Sequence, residues 1–147
     1  MIKPDAVERK LIYPILNVIF EEGLCVCFIS ERIASSDLIF KHYQEHLIAN
    51  NDIEKRLREY YVDKTVVLAI IKGDNAINRV RKLIGSTDPS LSSKESIRGK
   101  WGMDSFLQAE KENRSCRNLI HSADSLSNAI REIKIWFPEF NIHNFIA

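Results

Sequence analysis

The chain has 147 residues, 45% of them hydrophobic and 28% charged. That composition excludes a disordered chain and predicts one globular domain over residues 1–147. Lys and Arg number 21 against 20 for Asp and Glu, a net charge of +1, which argues against a broad electrostatic grip on nucleic acid and leaves any bound anion to a few local cations. The longest apolar runs are too short to cross a bilayer, and the opening Met1-Ile2-Lys3-Pro4-Asp5 lacks the basic start and apolar core of a secretory signal. Cys25, Cys27 and Cys116 lack CxxC spacing and read as buried free thiols of a reducing, cytoplasmic setting.

In chain order, Leu11 to Glu22 reads as a helix that tolerates Pro14 only near its first turn and stops at Gly23. Leu24 to Ile33, rich in Val, Ile, Phe and Cys, suits a strand. Ser35-Ser36-Asp37 offers a cap for a helix to about Leu47, and Asp52 one for a helix through Tyr61. Thr65 to Ile71 is a continuous apolar run with many β-branched residues, the pattern of a strand buried on both faces. Gly73-Asp74 precedes a helix over Ala76 to Ile84, and Gly85 to Gly99 reads as loop. A polar stretch, Asp104 to Arg117, leads to a short strand at Asn118-Leu119-Ile120. Ser125 caps a last helix whose apolar side is Leu126, Ala129, Ile130, Ile133, Trp136 and Phe137. Strands interleave with helices without repeated βαβ units, so an α+β sandwich with helices over one face of a small sheet is expected.

Neither GxxxxGK[ST] nor GxGxxG occurs. His42-Tyr43-Gln44-Glu45-His46 matches the HxxEH pattern of zinc hydrolases, but no third ligand supports it and a solvated helix face is the expectation. The Asn113-Arg114-Ser115 sequon carries no meaning without a secretory route. His121 is different: it follows a short apolar strand and precedes Ser122-Ala123-Asp124-Ser125, a helix entrance where free N–H groups favour anions. Lys3, Arg81 with Thr87, and Arg98 beside Gly99 supply further groups suited to phosphate.

Four ordered segments carry a family resemblance. Lys3-Pro4-Asp5-Ala6-Val7 resembles the KPDxV opening of nucleoside diphosphate kinases, Arg81 to Pro89 their RxxxGxTxP segment, Ser96-Ile97-Arg98-Gly99 their TIRG, and Asn118 to Ser125 their NxxHGSDS signature. The resemblance covers nearly the whole chain. It implies a ferredoxin-like α+β sandwich, a four-stranded antiparallel sheet covered by helices. It also implies reversible, ping-pong transfer of a γ-phosphate, chiefly from ATP, to a nucleoside diphosphate through a phosphohistidine on His121. Histidine suits such a relay, since much of it is neutral and nucleophilic near neutral pH. The family's orienting glutamate falls on Glu132, and Tyr43 frames the histidine. Arg81, Thr87 and Arg98 are expected on phosphate oxygens, Lys3 and Asn118 on the sugar hydroxyls and the transferring end, and Ile53 and Leu57 in an apolar clamp on the base. Magnesium is expected on the nucleotide, with no protein metal ligand, and a homo-oligomer by resemblance, a hexamer before a tetramer.

This chain departs from the family pattern in four places. Met1 and Ile2 alone precede Lys3, which predicts a shortened first strand. The family's Gly-Ser after the histidine is Ser122-Ala123, so the serine hydroxyl expected on the glutamate has moved or gone, a loss of about 1.5–3 kcal/mol or about one to two powers of ten in rate. Asp104 to Arg117 is longer than the family segment and is expected near the site or a subunit contact, with Phe106 and Leu107 on a surface bulge before a supplement to the clamp, and Ile48 to Asp52 is longer and more polar. The rival expectation is a nucleotide-binding regulatory module of the same fold with weakened catalysis.

Overall fold

The computed structural model describes residues 1–47 and 51–141, so most of the polar stretch around Ile48 lies outside the described residues. Pro4 opens α1 (Pro4–Glu8) at a position where its missing N–H has no intrahelical partner to lose. α2 (Ile12–Glu21) holds Pro14 within its first turn and is followed by Gly23, whose φ of 77° turns the chain. β1 (Cys25–Ile33) pairs antiparallel with β2 (Thr65–Lys72), from Ile33 opposite Thr65 to Cys25 opposite Lys72, with an irregularity between Val26 and Phe28.

Between the strands run α3 (Ser36–His42), α4 (Gln44–Leu47) and α5 (Asn51–Tyr61). Ser35 caps α3 by accepting from the Leu38 N–H. The single helix expected to Leu47 is interrupted at Tyr43, and Asp52 lies inside the first turn of α5 rather than capping it. After β2 come α6 (Ala76–Ile84), a 3₁₀ turn at Pro89–Leu91, α7 (Ile97–Trp101), α8 (Phe106–Lys111) and α9 (Leu126–Trp136). Ser125 caps α9 as expected, through the Asn128 N–H. α6 spans the expected Ala76 to Ile84, but the residue at its cap is Asn75, held at φ 49°, and not Gly73-Asp74.

The fold is α+β, but among the described residues only β1 and β2 form a ladder where four strands were expected. Ile2 makes single antiparallel bridges to Val67 on one side and Ile120 on the other. Pro4 diverts the first segment into α1, and a turn at Leu119 breaks the second, so neither extends further. The expectation that helices cover one face is also corrected. Alternation along β2 sends Val67 into a core with α2 and α6, and Val66, Leu68 and Ile70 into a second core with α3, α5 and α9. Burial on both faces explains the unbroken apolar run. Cys25 is exposed and Cys27 and Cys116 are half-buried, all free, so the thiols are not the buried ones expected. Among the described residues, no helix is long and apolar enough to cross a membrane.

Candidate active site

The site is built around a turn of three residues. The Ile120 N–H donates to the Asn118 carbonyl at 2.8 Å, and Leu119 between them is fully buried at φ 70°. This is a γ-turn, and a leucine in the left-handed region costs about 1–2 kcal/mol. Surrounding bonds hold it there. Asp5 Oδ2 accepts the Leu119 N–H at 3.1 Å, and the Lys3 N–H donates to the Leu119 carbonyl at 2.8 Å. The turn ends on His121, whose N–H donates to the Met1 carbonyl at 2.8 Å.

Arg98 braces the same turn from α7. Its Nε donates to the Asn118 carbonyl (3.0 Å), Nη2 to Ile120 (2.7 Å), and Nη1 to Gly85 (3.2 Å) and Ser86 (3.0 Å). A guanidinium has five N–H donors, so one remains for a ligand. Ser96 caps α7 through the Gly99 N–H, and a Cβ on Gly99 would lie 1.9 Å from the Ser93 carbonyl oxygen, so only glycine allows this approach. Lys3 is buried with its Nζ 2.6 Å from Asn118 Oδ1, and Asn118 Nδ2 donates to the Thr87 carbonyl at 2.8 Å. Burial, helped by the Arg98 charge, lowers the Lys3 pKa to about 8. The Tyr60 hydroxyl donates to Asp5 Oδ1 at 2.6 Å, closing a network from α5 to the first residues of the chain.

His121 is half-buried, with its Nε2 2.9 Å from Glu132 Oε1 on α9. Burial, reinforced by the positive charges of the amino terminus, Lys3 and Arg98, holds its pKa well below 6.5. The ring is therefore neutral near pH 7. With Glu132 ionised, Nε2 carries the proton and Nδ1 a lone pair. Burial raises the Glu132 pKa. The Tyr43 ring lies 6.1 Å from the His121 ring, and its hydroxyl is paired with that of Tyr61 at 2.7 Å. A neutral imidazole, a buried ammonium and a fixed guanidinium are thus held around one turn.

The sequence model described as nucleoside diphosphate kinase matches residues 1–142. The nucleoside diphosphate kinase of Mycobacterium tuberculosis is 36% identical over 139 residues, covering 94% of this chain and 93% of that protein. The chain belongs to the nucleoside diphosphate kinase family. The Staphylococcus epidermidis kinase is 34% identical over 145 residues, covering 99% of this chain and 89% of its own length. Among solved structures, the Borrelia burgdorferi nucleoside diphosphate kinase, a transition-state mimic with bound vanadate and ADP, matches with a TM-score of 0.88 and 30% identity. That match covers 99% of this chain and 86% of the Borrelia chain. The Pyrobaculum aerophilum kinase matches at 0.85 and 31% identity, covering 94% of this chain and 93% of its own. The chain is thus a nucleotide-binding phosphotransferase of this family.

Of the expected residues, hydrogen bonds join Lys3, Asn118, Thr87 and Arg98 into one group and His121 to Glu132 in another, and the charges of Lys3 and Arg98 act on His121. Arg81 is exposed at the end of α6, its charge felt at Arg98 and Asp124. Leu57 is buried in the second core, with Ile53 half-buried beside it. Sequence reasoning missed Asp5, Tyr60 and His42. Asp5 stands inside the KPDxV letters, and His42 directly precedes Tyr43. His42 is 4% exposed, which corrects the solvated helix face expected for it. The other HxxEH histidine, His46, has a side chain outside those described.

His42, His121 and Glu132 are the one group of three potential ligands close enough for a metal among the described residues. Trp136 argues against that use. Its indole N–H donates to His42 Nδ1 at 3.1 Å, which puts the His42 proton on Nε2, where a metal would need a lone pair.

Proposed function

We propose that this kinase transfers the γ-phosphate of a nucleoside triphosphate, chiefly ATP, to a nucleoside diphosphate by a ping-pong route through His121. The observation that carries this reading is the 2.9 Å pairing of His121 Nε2 with Glu132, which leaves Nδ1 as the nucleophile. Nδ1 attacks the γ-phosphorus, an N–P bond forms, and the bond to the β-phosphate oxygen breaks as the diphosphate leaves with its electron pair. Nε2 keeps its proton, and Glu132 stabilises the positive charge gained by the ring. A second diphosphate reverses these steps. Such transfers rest on positioning and charge stabilisation more than on protein bond-making.

Arg81, Thr87 and the remaining Arg98 donor bind phosphate oxygens, and Lys3 with Asn118 binds the sugar hydroxyls and transferring end. Tyr43 frames the ring, and half-buried Ile53 faces the base with Leu57 packed behind it in the core. Magnesium enters on the nucleotide. Among the described residues the one close ligand group contains two imidazoles, whereas magnesium favours oxygen, so phosphates and water hold it. We further read residues 1–147 as one catalytic unit on a ferredoxin-like, four-stranded plan, acting in the cytoplasm as a homo-oligomer, a hexamer before a tetramer.

The competing reading, a regulatory module with weakened turnover, draws on Ala123 in place of a serine. Incubation with γ-labelled ATP and magnesium separates the two. The kinase reading expects acid-labile label on the protein, absent in His121→Ala and released by added nucleoside diphosphate. Nucleotide binding without such label overturns it.

A further inference from the structure

His42 closes α3 against the nucleophile, and the transfer chemistry gives it no role. Its ring stands edge-on to His121 at 4.6 Å and 80°, and to Trp136 at 6.0 Å and 65°. The indole N–H of Trp136 can only donate, so the 3.1 Å bond to Nδ1 fixes the Nε2–H tautomer. Burial, with the nearby His121 next, lowers the His42 pKa to about 3, so the ring stays neutral.

Nε2 is then an N–H donor, and it is buried with no acceptor among the described residues. An unsatisfied buried donor is costly, and such exceptions call for a reason. Glu132 offers a nearby acceptor. One nitrogen of each imidazole and one Glu132 carboxylate oxygen lie within 4.8 Å of one another. Oε1 of that carboxylate takes the His121 bond, and Oε2 receives no hydrogen bond among the described residues. The last torsion of Glu132 is a soft degree of freedom, so the carboxylate is free to turn Oε2 toward a neighbouring donor.

We propose that His42 is a positioning residue, whose Nε2–H engages the second oxygen of Glu132 when His121 takes up the phosphoryl group. This rests on the phosphohistidine reading above. Phosphorylation at Nδ1 leaves the His121 ring with more positive charge, which Glu132 must face as a carboxylate. A second donor keeps that carboxylate ionised and aimed. The tautomer needed for this is the one Trp136 enforces.

Two measurements test it. The first is the ¹⁵N spectrum of the imidazoles in the wild-type protein, which needs no catalysis and no variant. The expected pattern for His42 is a protonated Nε2 and an unprotonated Nδ1; the opposite tautomer overturns the proposal whether or not the protein transfers phosphate. The second compares His42→Phe, which keeps a flat ring without a donor, with His42→Gln, whose amide nitrogen restores one. His42→Phe is expected to slow single-turnover labelling of His121 about tenfold with KM for the nucleotide unchanged, and His42→Gln to recover most of that loss. No loss in His42→Phe, or equal loss in both variants, overturns the proposal. If His42→Phe does not fold, the tautomer and the rate of His42→Gln against wild type decide: a rate of His42→Gln as low as about a tenth of wild type overturns it.

Discussion

Arg98 donates from Nε to the Asn118 carbonyl at 3.0 Å, and the Asn118 side chain in turn receives the Lys3 ammonium at 2.6 Å. The guanidinium thus holds the strained turn at Leu119 while Asn118 holds the cation. Replacing Arg98 with lysine keeps one charge but gives up the planar fork, and the carbonyls of Gly85, Ser86, Asn118 and Ile120 lose their bonds from the guanidinium. Unfolding stability should drop by about 2–4 kcal/mol, and phosphoryl transfer should fall even where Arg98→Lys remains folded. Urea unfolding beside steady-state kinetics checks both; an unchanged midpoint removes the bracing role.

Lys3 is stabilised for function and not for folding. Its pKa falls from 10.5 to about 8 because burial penalises the charged form. The folded state therefore binds this proton less tightly than the unfolded state, and stability rises with pH from about 8 to 10.5. Near pH 7 the full cost is present, about 3 kcal/mol. Lys3→Met removes it, at the loss of one bond to Asn118, and should gain about 1–2 kcal/mol overall while abolishing transfer. Unfolding at pH 7 and again above pH 10.5 should show the gain at the lower pH alone. A variant that is less stable at both contradicts this.

That cost marks where the sequence was readable and where it was not. The apolar run at Thr65 to Ile71 gave β2 because both of its faces meet helices, and Ser125 before a helical stripe gave α9. α1, α7 and α8 are five or six residues long, too short for a periodic signal to emerge. Leu119 gave no warning of a left-handed turn, since its conformation is imposed by Asp5, Lys3 and Arg98 from distant segments. His42 read as solvent-facing because its neighbours Lys41 and Gln44 are polar; Trp136 and His121, which bury it, are far away in sequence. The motif letters located the nucleophile and its cations, but not the bonds that leave Arg98 so few free donors.

Glu132 sets the pH response of the nucleophile. Burial raises its pKa, while that of His121 is lowered, so the acid limb of activity belongs to the pair and should lie above the range of an ordinary carboxylate. As pH falls through it, the carboxyl neutralises and no longer supports charge at His121 Nε2, and the rate drops. Glu132→Gln keeps an oxygen that accepts the Nε2–H but removes the negative charge. It should slow transfer about 10- to 100-fold and flatten the acid limb of kcat/KM. A variant with the same acid limb as the wild type places the titration elsewhere.

Asp104 organises the polar segment before Asn118. Its carboxylate accepts Arg114 Nη1 at 2.5 Å and Nη2 at 3.0 Å, the Arg117 N–H at 2.8 Å and the Ser105 N–H at 2.9 Å. Burial works to raise its pKa, but the Arg114 fork and the two backbone donors outweigh it and bring the value to about 2, from 3.8. Because the folded pKa is the lower one, this support is complete above pH 3.8 and is lost as pH falls through about 2. Discounted for solvent screening, it amounts to about 1–2 kcal/mol. Asp104→Asn offers one acceptor oxygen and turns an amide donor toward Arg114. α8 should then loosen, although Arg56 still ties it to α5 through Glu110 and Asn113. Trypsin should cut after Lys111, Arg114 and Arg117 faster than in the wild type, with a modest fall in Tm. Equal cutting rates would mean that the bonds from Arg56 and the burial of Ala109 hold α8 without Asp104.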